Sequence, residues 1–241
     1  MQRTSRLRFC ILASVAFLPS FIKRPLYRLF FGYRIGKRVR IGVTIIDAGK
    51  VEIDDDVSIG HLNVITRVAE LHIKDHTRIG QLNIIRGGSK VTLGRYSEIM
   101  RLNEINSIPE PDAVNELDPR FILGDGSIVT TGHKIDFTDK VEIGRRVILG
   151  GRNSSLWTHN RQRTLPITIG DLVYLGSEIR MAPGSAIGPR CIVGMGAVIT
   201  GELGEQGKLI GGVPGKVIKD LSDEDQFLVE RKTRPDMPDD L

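Results

Sequence analysis

The sequence predicts an all-β chain built as a parallel β-helix, preceded by a basic, apolar helical segment and followed by a short helix. Three observations predict this: an aliphatic residue recurs every six positions, glycine often follows it, and aromatics are few. Of 241 residues, 5% are aromatic and 27 are glycine. A core of Ile, Val and Leu turned at glycine corners has that composition, and the chain is long enough to bury one.

The repeat is plainest in units of twenty from Val51: VEIDDDVSIGHLNVITRVAE, LHIKDHTRIGQLNIIRGGSK and VTLGRYSEIMRLNEINSIPE. After ten further residues come FILGDGSIVTTGHKIDFTDK and VEIGRRVILGGRNSSLWTHN. Third positions are Ile53, Ile73, Leu93, Leu123 and Ile143; ninth positions are Ile59, Ile79, Ile99, Val129 and Leu149. Fifteenth positions are Ile65, Ile85, Ile105 and Ile135, and then Ser155. Further on, Ile169, Leu175, Met181, Ile187, Val193 and Ile199 are each six apart. One hexad forms one flat side of a prism, three complete a triangular turn, and the aliphatic residue points inward. Turns stack about 4.8 Å apart.

Stacking serves as a ruler. Position 13 holds Asn63, Asn83, Asn103, His133 and Asn153, an expected corner ladder in which asparagine adopts the left-handed turn and bonds its neighbour above. His133 interrupts that column. Position 19 places Asp139 one rung from His159.

The repeat breaks twice. "NSIPEPDAVNELDPR" (106–120) is expected to leave the prism wall as an excursion. Between Thr158 and Pro166 the hexads stop, in "SSLWTHNRQRTLPITIG", which holds the single tryptophan, Trp157, together with His159 and Asn160. Loops leaving a rigid scaffold are where binding residues concentrate. The last strand precedes "SDEDQFLVERK", which reads as a short helix opened by an N-cap serine and acids. The divisions expected are 1–34 (helical segment), 35–219 (β-helix) and 220–241 (helix and acidic tail).

The formal net charge of +5 hides an asymmetry. Residues 1–46 carry ten Lys or Arg and no acid, whereas 220–241 carry eight acids against three bases. A basic head suits an anionic partner, either a membrane surface or a phosphate-bearing ligand. No nucleic-acid motif is present, so nucleic acid is not an expected partner. "FCILASVAFLPSFI" (9–22) is too short to span a bilayer and contains Pro19. No small-residue cleavage site follows it. Two readings stay open: an interfacial helix that gives peripheral membrane contact through residues 1–30, or a cap on one end of the domain. Cys10 and Cys191 are far apart and give neither a disulfide framework nor a metal spacing, so a reducing, cytoplasmic location is expected, peripheral to the inner face of the membrane if the head binds lipid.

"ITIGDLVYLGSEIRMAPGSAIGPRCIVGMGAVIT" followed by "LIGGVPGKVIK" resembles the hexapeptide-repeat acyltransferases, most of all the branch that O-acetylates sugars and surface polysaccharides. The resemblance covers roughly residues 35–219 and is sharpest over 141–219. It implies a left-handed parallel β-helix, an exception to the right-handed crossovers of other parallel folds, as well as a homotrimer and acetyl-CoA as co-substrate. It also implies a histidine just before a "P-I-x-I-G" restart, here His159, and no metal.

Under that resemblance His159 is the general base for a sugar hydroxyl. Asp139, from the stacking, or Asp136 fixes its tautomer; a backbone carbonyl would also serve. An oxyanion donor is expected near Gly176 and Ser177. The pantetheine groove maps to Ser177, Gly194, Met195 and Thr200, and Lys216 meets CoA phosphate. Gly201 stands where the family often has lysine. On the acceptor side, Trp157 suits stacking on a sugar ring, with His133, Asp136 and Asn160 beside it; a ladder role for His133 is the alternative. Cys191 reads as a packed thiol. Two other functions stay open: N-acylation of a nucleotide-linked amino sugar, and a non-catalytic scaffold.

Overall fold

The computed structural model describes residues 6–108 and 116–241. The core of the predicted excursion, residues 109–115, lies outside the described residues. Two helices, α1 (Arg6–Ala16) and α2 (Ser20–Phe31), precede a left-handed parallel β-helix of about eight turns, and α3 (Asp223–Glu230) follows it.

The inward columns are those expected. Ile35, Ile53, Ile73, Leu93, Leu123, Ile143, Ile169, Ile187 and Leu203 stack in register on one side. Ile41, Ile59, Ile79, Ile99, Val129, Leu149, Leu175, Val193 and Ile210 form the second. On the third side the column runs Ile46, Ile65, Ile85, Ile105, Ile135, Leu156, Met181 and Ile199. Leu156, not Ser155, fills the fifth unit. The register shifts between Val129 and Thr131, because Leu149 and Arg152 oppose them with one extra residue. That residue comes from the pair Gly150–Gly151. Gly151 has a φ of +63°, and a Cβ there would lie 1.7 Å from Ser177 Oγ, so only glycine fits the bulge.

The polar ladder is real but differs from the expected one. Each side chain accepts a backbone N–H from the rung above: Asn83 N to Asn63 Oδ1 (2.9 Å), Asn103 N to Asn83 Oδ1 (3.0 Å) and His133 N to Asn103 Oδ1 (2.9 Å). His133 continues the column, accepting Ser154 N at Nδ1 (3.1 Å), and Ser154 Oγ then accepts Ile179 N (3.1 Å). Asn153 is displaced from the column by the glycine bulge. The left-handed corner falls one residue before each rung, at Leu62, Leu82, Leu102, Gly132 and Asn153. Left-handed leucines are disfavoured by roughly 1–2 kcal/mol each. The buried ladder bonds, which leave no orphaned N–H at the corner, offset this.

The head caps the first turn. Lys23 is buried and donates to the carbonyls of Ala16 and Gly42, both at 2.7 Å, tying the end of α1 to the β-helix. Tyr27 packs against Tyr33, whose hydroxyl donates to Ile46 O (3.0 Å). At the other end Ser222 and Asp225 form a capping box on α3. The tail then runs back along one corner. Buried Arg234 donates to the carbonyls of His76 (2.9 Å) and Tyr96 (3.0 Å) and pairs with Asp236, and Met237 is buried against Gly126.

Burial pushes the pKa of His133 down to about 4 from 6.5. The folded imidazole is therefore neutral where the unfolded one takes up a proton. Stability is full above about pH 6.5 and falls as pH drops toward 4, by up to roughly 3 kcal/mol. His133→Asn, which restores the amide rung, is expected to flatten that decline when chemical denaturation is compared at neutral pH and at about pH 4.5.

Candidate active site

The break after Trp157 is a tight hairpin raised from the prism wall. Leu165 N donates to Thr158 O (2.8 Å), Asn160 N donates to Arg163 O (2.9 Å), and His159 bridges Thr164 in antiparallel pairing. Asn160 Oδ1 accepts the N–H groups of Gln162 (2.8 Å) and Arg163 (3.0 Å), shaping the exposed tip. Asn160, expected beside the acceptor, thus has its side-chain oxygen engaged within the loop.

His159 lies over the third side of the prism, with Nδ1 at 3.2 Å from Asp136 Oδ2. The pair is close without the alignment of a directed hydrogen bond. Asp136 is buried, and its carboxylate is held on several sides. Oδ1 accepts Thr158 Oγ1 (2.7 Å) and Thr138 N (3.1 Å), and Oδ2 accepts Thr138 Oγ1 (3.2 Å). Thr158 also accepts Asp139 N (3.0 Å), so one hydroxyl joins the loop, the carboxylate and the corner at Asp139. With Nδ1 facing Asp136, Nε2 is the nitrogen left for the groove.

The structure separates the two aspartates. Asp139 does not face His159. Its Oδ1 accepts Lys140 N (2.7 Å) and Asp118 N (3.3 Å), closing a corner at the end of the 106–120 insertion. The extra residue at Gly150–Gly151 removes the one-rung relation predicted between Asp139 and His159. The other end of the insertion is also fastened here, by Ile108 N to Thr138 Oγ1 (3.0 Å).

A groove of about 500 Å³ opens beside His159, lined by Trp157, Asn160, Arg180, Met181, Ala182, Pro183 and Val198. Trp157, 43% exposed, sits one rung from Asp136. Arg180, Ala182, Pro183 and Val198 escaped the sequence reading; their signal was the hexad register, which stacks Met181 on Leu156 and Ile199 on Met181. The same register sets Thr200 beside Ala182. Gly176, Ser177, Gly194 and Met195 gather at the preceding corner, where Met195 is exposed. Gly176 N is already bonded to Val193 O (2.9 Å) and Gly194 N to Ile210 O (2.8 Å). The Gly176 amide is therefore not a free oxyanion donor. Lys216 is exposed on the last strand, Lys216–Asp220, which pairs antiparallel with Lys208–Gly211. Lys208, on the strand that pairs with Lys216–Asp220, is held by Asp220 and Glu205, which raise its pKa.

His133 does not reach the groove. It is fully buried, with Nδ1 taken by Ser154 and Nε2 at 2.9 Å from Thr130 Oγ1, so substrate contact is ruled out by its place in the ladder. Cys191 is also fully buried, and burial raises its pKa. Among the described residues, one group of potential metal ligands converges, Glu52, Asp54 and His72, within 4.8 Å of one another. There His72 Nε2 already pairs with Asp54 at 3.0 Å.

The β-helix of six-residue repeats, with a histidine-bearing loop beside a groove, is similar in sequence and in fold to named acyltransferases. The chain is 35% identical over 63 residues to the galactoside O-acetyltransferase of Escherichia coli, covering 26% of this chain and 30% of that one. The aligned stretch spans less than half the length of this relative and of two other curated relatives. The fold matches the crystal structure of the polySia specific acetyltransferase NeuO, with a TM-score of 0.58 at 16% identity, covering 78% of this chain and 86% of that one. It also matches a UDP-N-acetylglucosamine acyltransferase from Campylobacter jejuni, with a TM-score of 0.53 at 16% identity over 82% and 77% of the two chains. No protein-family profile matches the chain.

Asp136→Ala strands the Thr158 hydroxyl and the Thr138 amide and frees the loop. Losing one such anchor, worth about 1.4 kcal/mol, is expected to speed tryptic cleavage after Arg161 or Arg163 about tenfold, read by mass spectrometry of the native protein.

Proposed function

We propose that this protein transfers an acetyl group from acetyl-CoA to a hydroxyl of a sugar or glycan, with His159 as general base. The observation that carries the reading is the pairing of His159 with buried Asp136 at 3.2 Å on a loop beside an open groove. The named relatives support the reaction class: one acetylates galactosides and another is specific for polySia.

The residues divide the work as follows. Asp136, fixed by Thr138 and Thr158, holds Nδ1 of His159 and stabilises the imidazolium formed during transfer. Nε2 takes the acceptor hydroxyl's proton as oxygen attacks the thioester carbonyl. The proton then leaves with the thiol as the carbon–sulfur bond breaks, so no covalent enzyme intermediate is needed. Trp157 offers a face for a sugar ring. Small and apolar walls at Ala182, Pro183 and Val198 suit a slender pantetheine arm, with Thr200 beside them. Exposed Lys216 is the residue that the resemblance assigns to CoA phosphate. A trimer, in which a neighbouring prism closes the groove, is part of this proposal.

His159→Ala is expected to lower kcat at least about a hundredfold while CoA still binds. Asp136→Asn is expected to lower it less, and Trp157→Ala to raise KM for the acceptor. Thiol release from acetyl-CoA, run against sugars, nucleotide sugars and lipid-linked glycans, measures all three. Acetyl recovered on a sugar nitrogen, or CoA binding without turnover on any acceptor, would overturn the reading.

A further inference from the structure

The head of the chain is unlike an ordinary cap. The inner face of α1 is spent on the prism: Leu12, Val15 and Ala16 are buried, and Arg8 reaches Asp47 at 3.0 Å. Its exposed residues Leu7, Phe9, Cys10, Ile11 and Ser14 carry no charge. The helix turn then exposes two large aromatics, Phe17 (76%) and Phe21 (69%), on either side of Pro19. A water-facing helix normally reverses this pattern.

Phe21 also rims a groove of about 590 Å³ between α2 and the first turn of the prism, lined with Arg24, Arg38 and Arg40. Its one acid, Asp56, is bonded to Arg38. Arg24 and Arg40 form no ion pair among the described residues. The chain places no acid before Asp47, which is itself bound by Arg8. Unneutralised guanidinium groups around a groove suit phosphate oxygens. Apolar side chains beside them suit the acyl boundary just beneath a headgroup. No described helix is long and apolar enough to cross a membrane.

We propose that the turn joining α1 and α2 docks on an anionic lipid bilayer, with Phe17 and Phe21 entering the interface and Arg24 and Arg40 meeting lipid phosphates. Phosphate contacts alone would leave the aromatics exposed without purpose, and apolar insertion alone would leave the arginines so. Lipid satisfies both at one site.

The test uses the full chain and reads location, not turnover, so it is independent of the transfer chemistry. Cys10 is exposed and Cys191 buried, so a thiol-reactive, environment-sensitive dye labels α1 alone. Vesicles of phosphatidylcholine, with and without about a third phosphatidylglycerol, are the partners, and co-sedimentation of unlabelled protein is the parallel readout. The expected result is binding to the anionic vesicles, a blue shift of the dye, and weakening by salt. Replacing both Arg24 and Arg40 by Gln is expected to weaken binding about thirtyfold. Phe17→Ser with Phe21→Ser is expected to abolish the blue shift while circular dichroism stays unchanged. Three results would each overturn the proposal: no binding to anionic vesicles, equal binding to phosphatidylcholine alone, or a blue shift that follows protein concentration without lipid. The last would show that a second copy covers the face. Inorganic phosphate binding without vesicle binding would likewise sink it.

Discussion

The structure depends on strict vertical stacking. The inward side chains of each side stack in columns, Val51, Leu71, Val91, Phe121 and Val141 beside Ile53, Ile73, Leu93, Leu123 and Ile143, so each apolar residue must sit on the one below. A shift of one residue would turn every inward side chain out to solvent. The corner ladder enforces the same register by polar means. Asn63, Asn83, Asn103, His133 and Ser154 each receive a buried backbone N–H from the rung above, and a rung out of register would orphan that donor. Apolar columns and polar ladder thus specify one alignment, and the left-handed leucines at the corners are tolerated because the alignment overdetermines them.

The candidate site forms where that register is altered. Gly150–Gly151 adds one residue to the wall, moving Leu156 into the core and Trp157 onto the rung beside Asp136. The chain then leaves the wall for the hairpin at 158–165. Because the bulge uses glycine, the prism absorbs the extra residue without losing its columns. Because the hairpin closes its own backbone bonds, it adds no unsatisfied amides to the wall.

Most of the fold was legible because its signal is periodic. Ile169 through Ile199 announce the prism by spacing alone, and each lands in its column. The site was legible in part. His159 stood out because the hexads stop around it, whereas Asp139 was favoured over Asp136 by counting twenties through a glycine pair that breaks the count. The same slip mistook Asn153 for a ladder member. His133 was open to two readings because a histidine in an asparagine column looks like chemistry; only its burial, and Nδ1 taken by Ser154, show that it does an asparagine's work. Arg180 and Val198 escaped notice because groove walls are made by stacking distant turns, which no local motif records.

The replacement of Asp139 by Asp136 as the partner of His159 alters the physical picture of the site. A carboxylate from a corner would move with that corner, and Asp139 is tied to the insertion through Asp118. Asp136 instead projects from a strand paired on both edges, with Asn106 on one side and Trp157 on the other. Its oxygens are already engaged by two threonines, so it is fixed before the imidazole arrives. The ring therefore lies 3.2 Å from a carboxylate fixed in the rigid wall, while the loop carrying it hangs from the same wall through Thr158. His159 and Asp136 thus share one anchor, the Thr158 hydroxyl, which couples any movement of the hairpin to the carboxylate beside the ring.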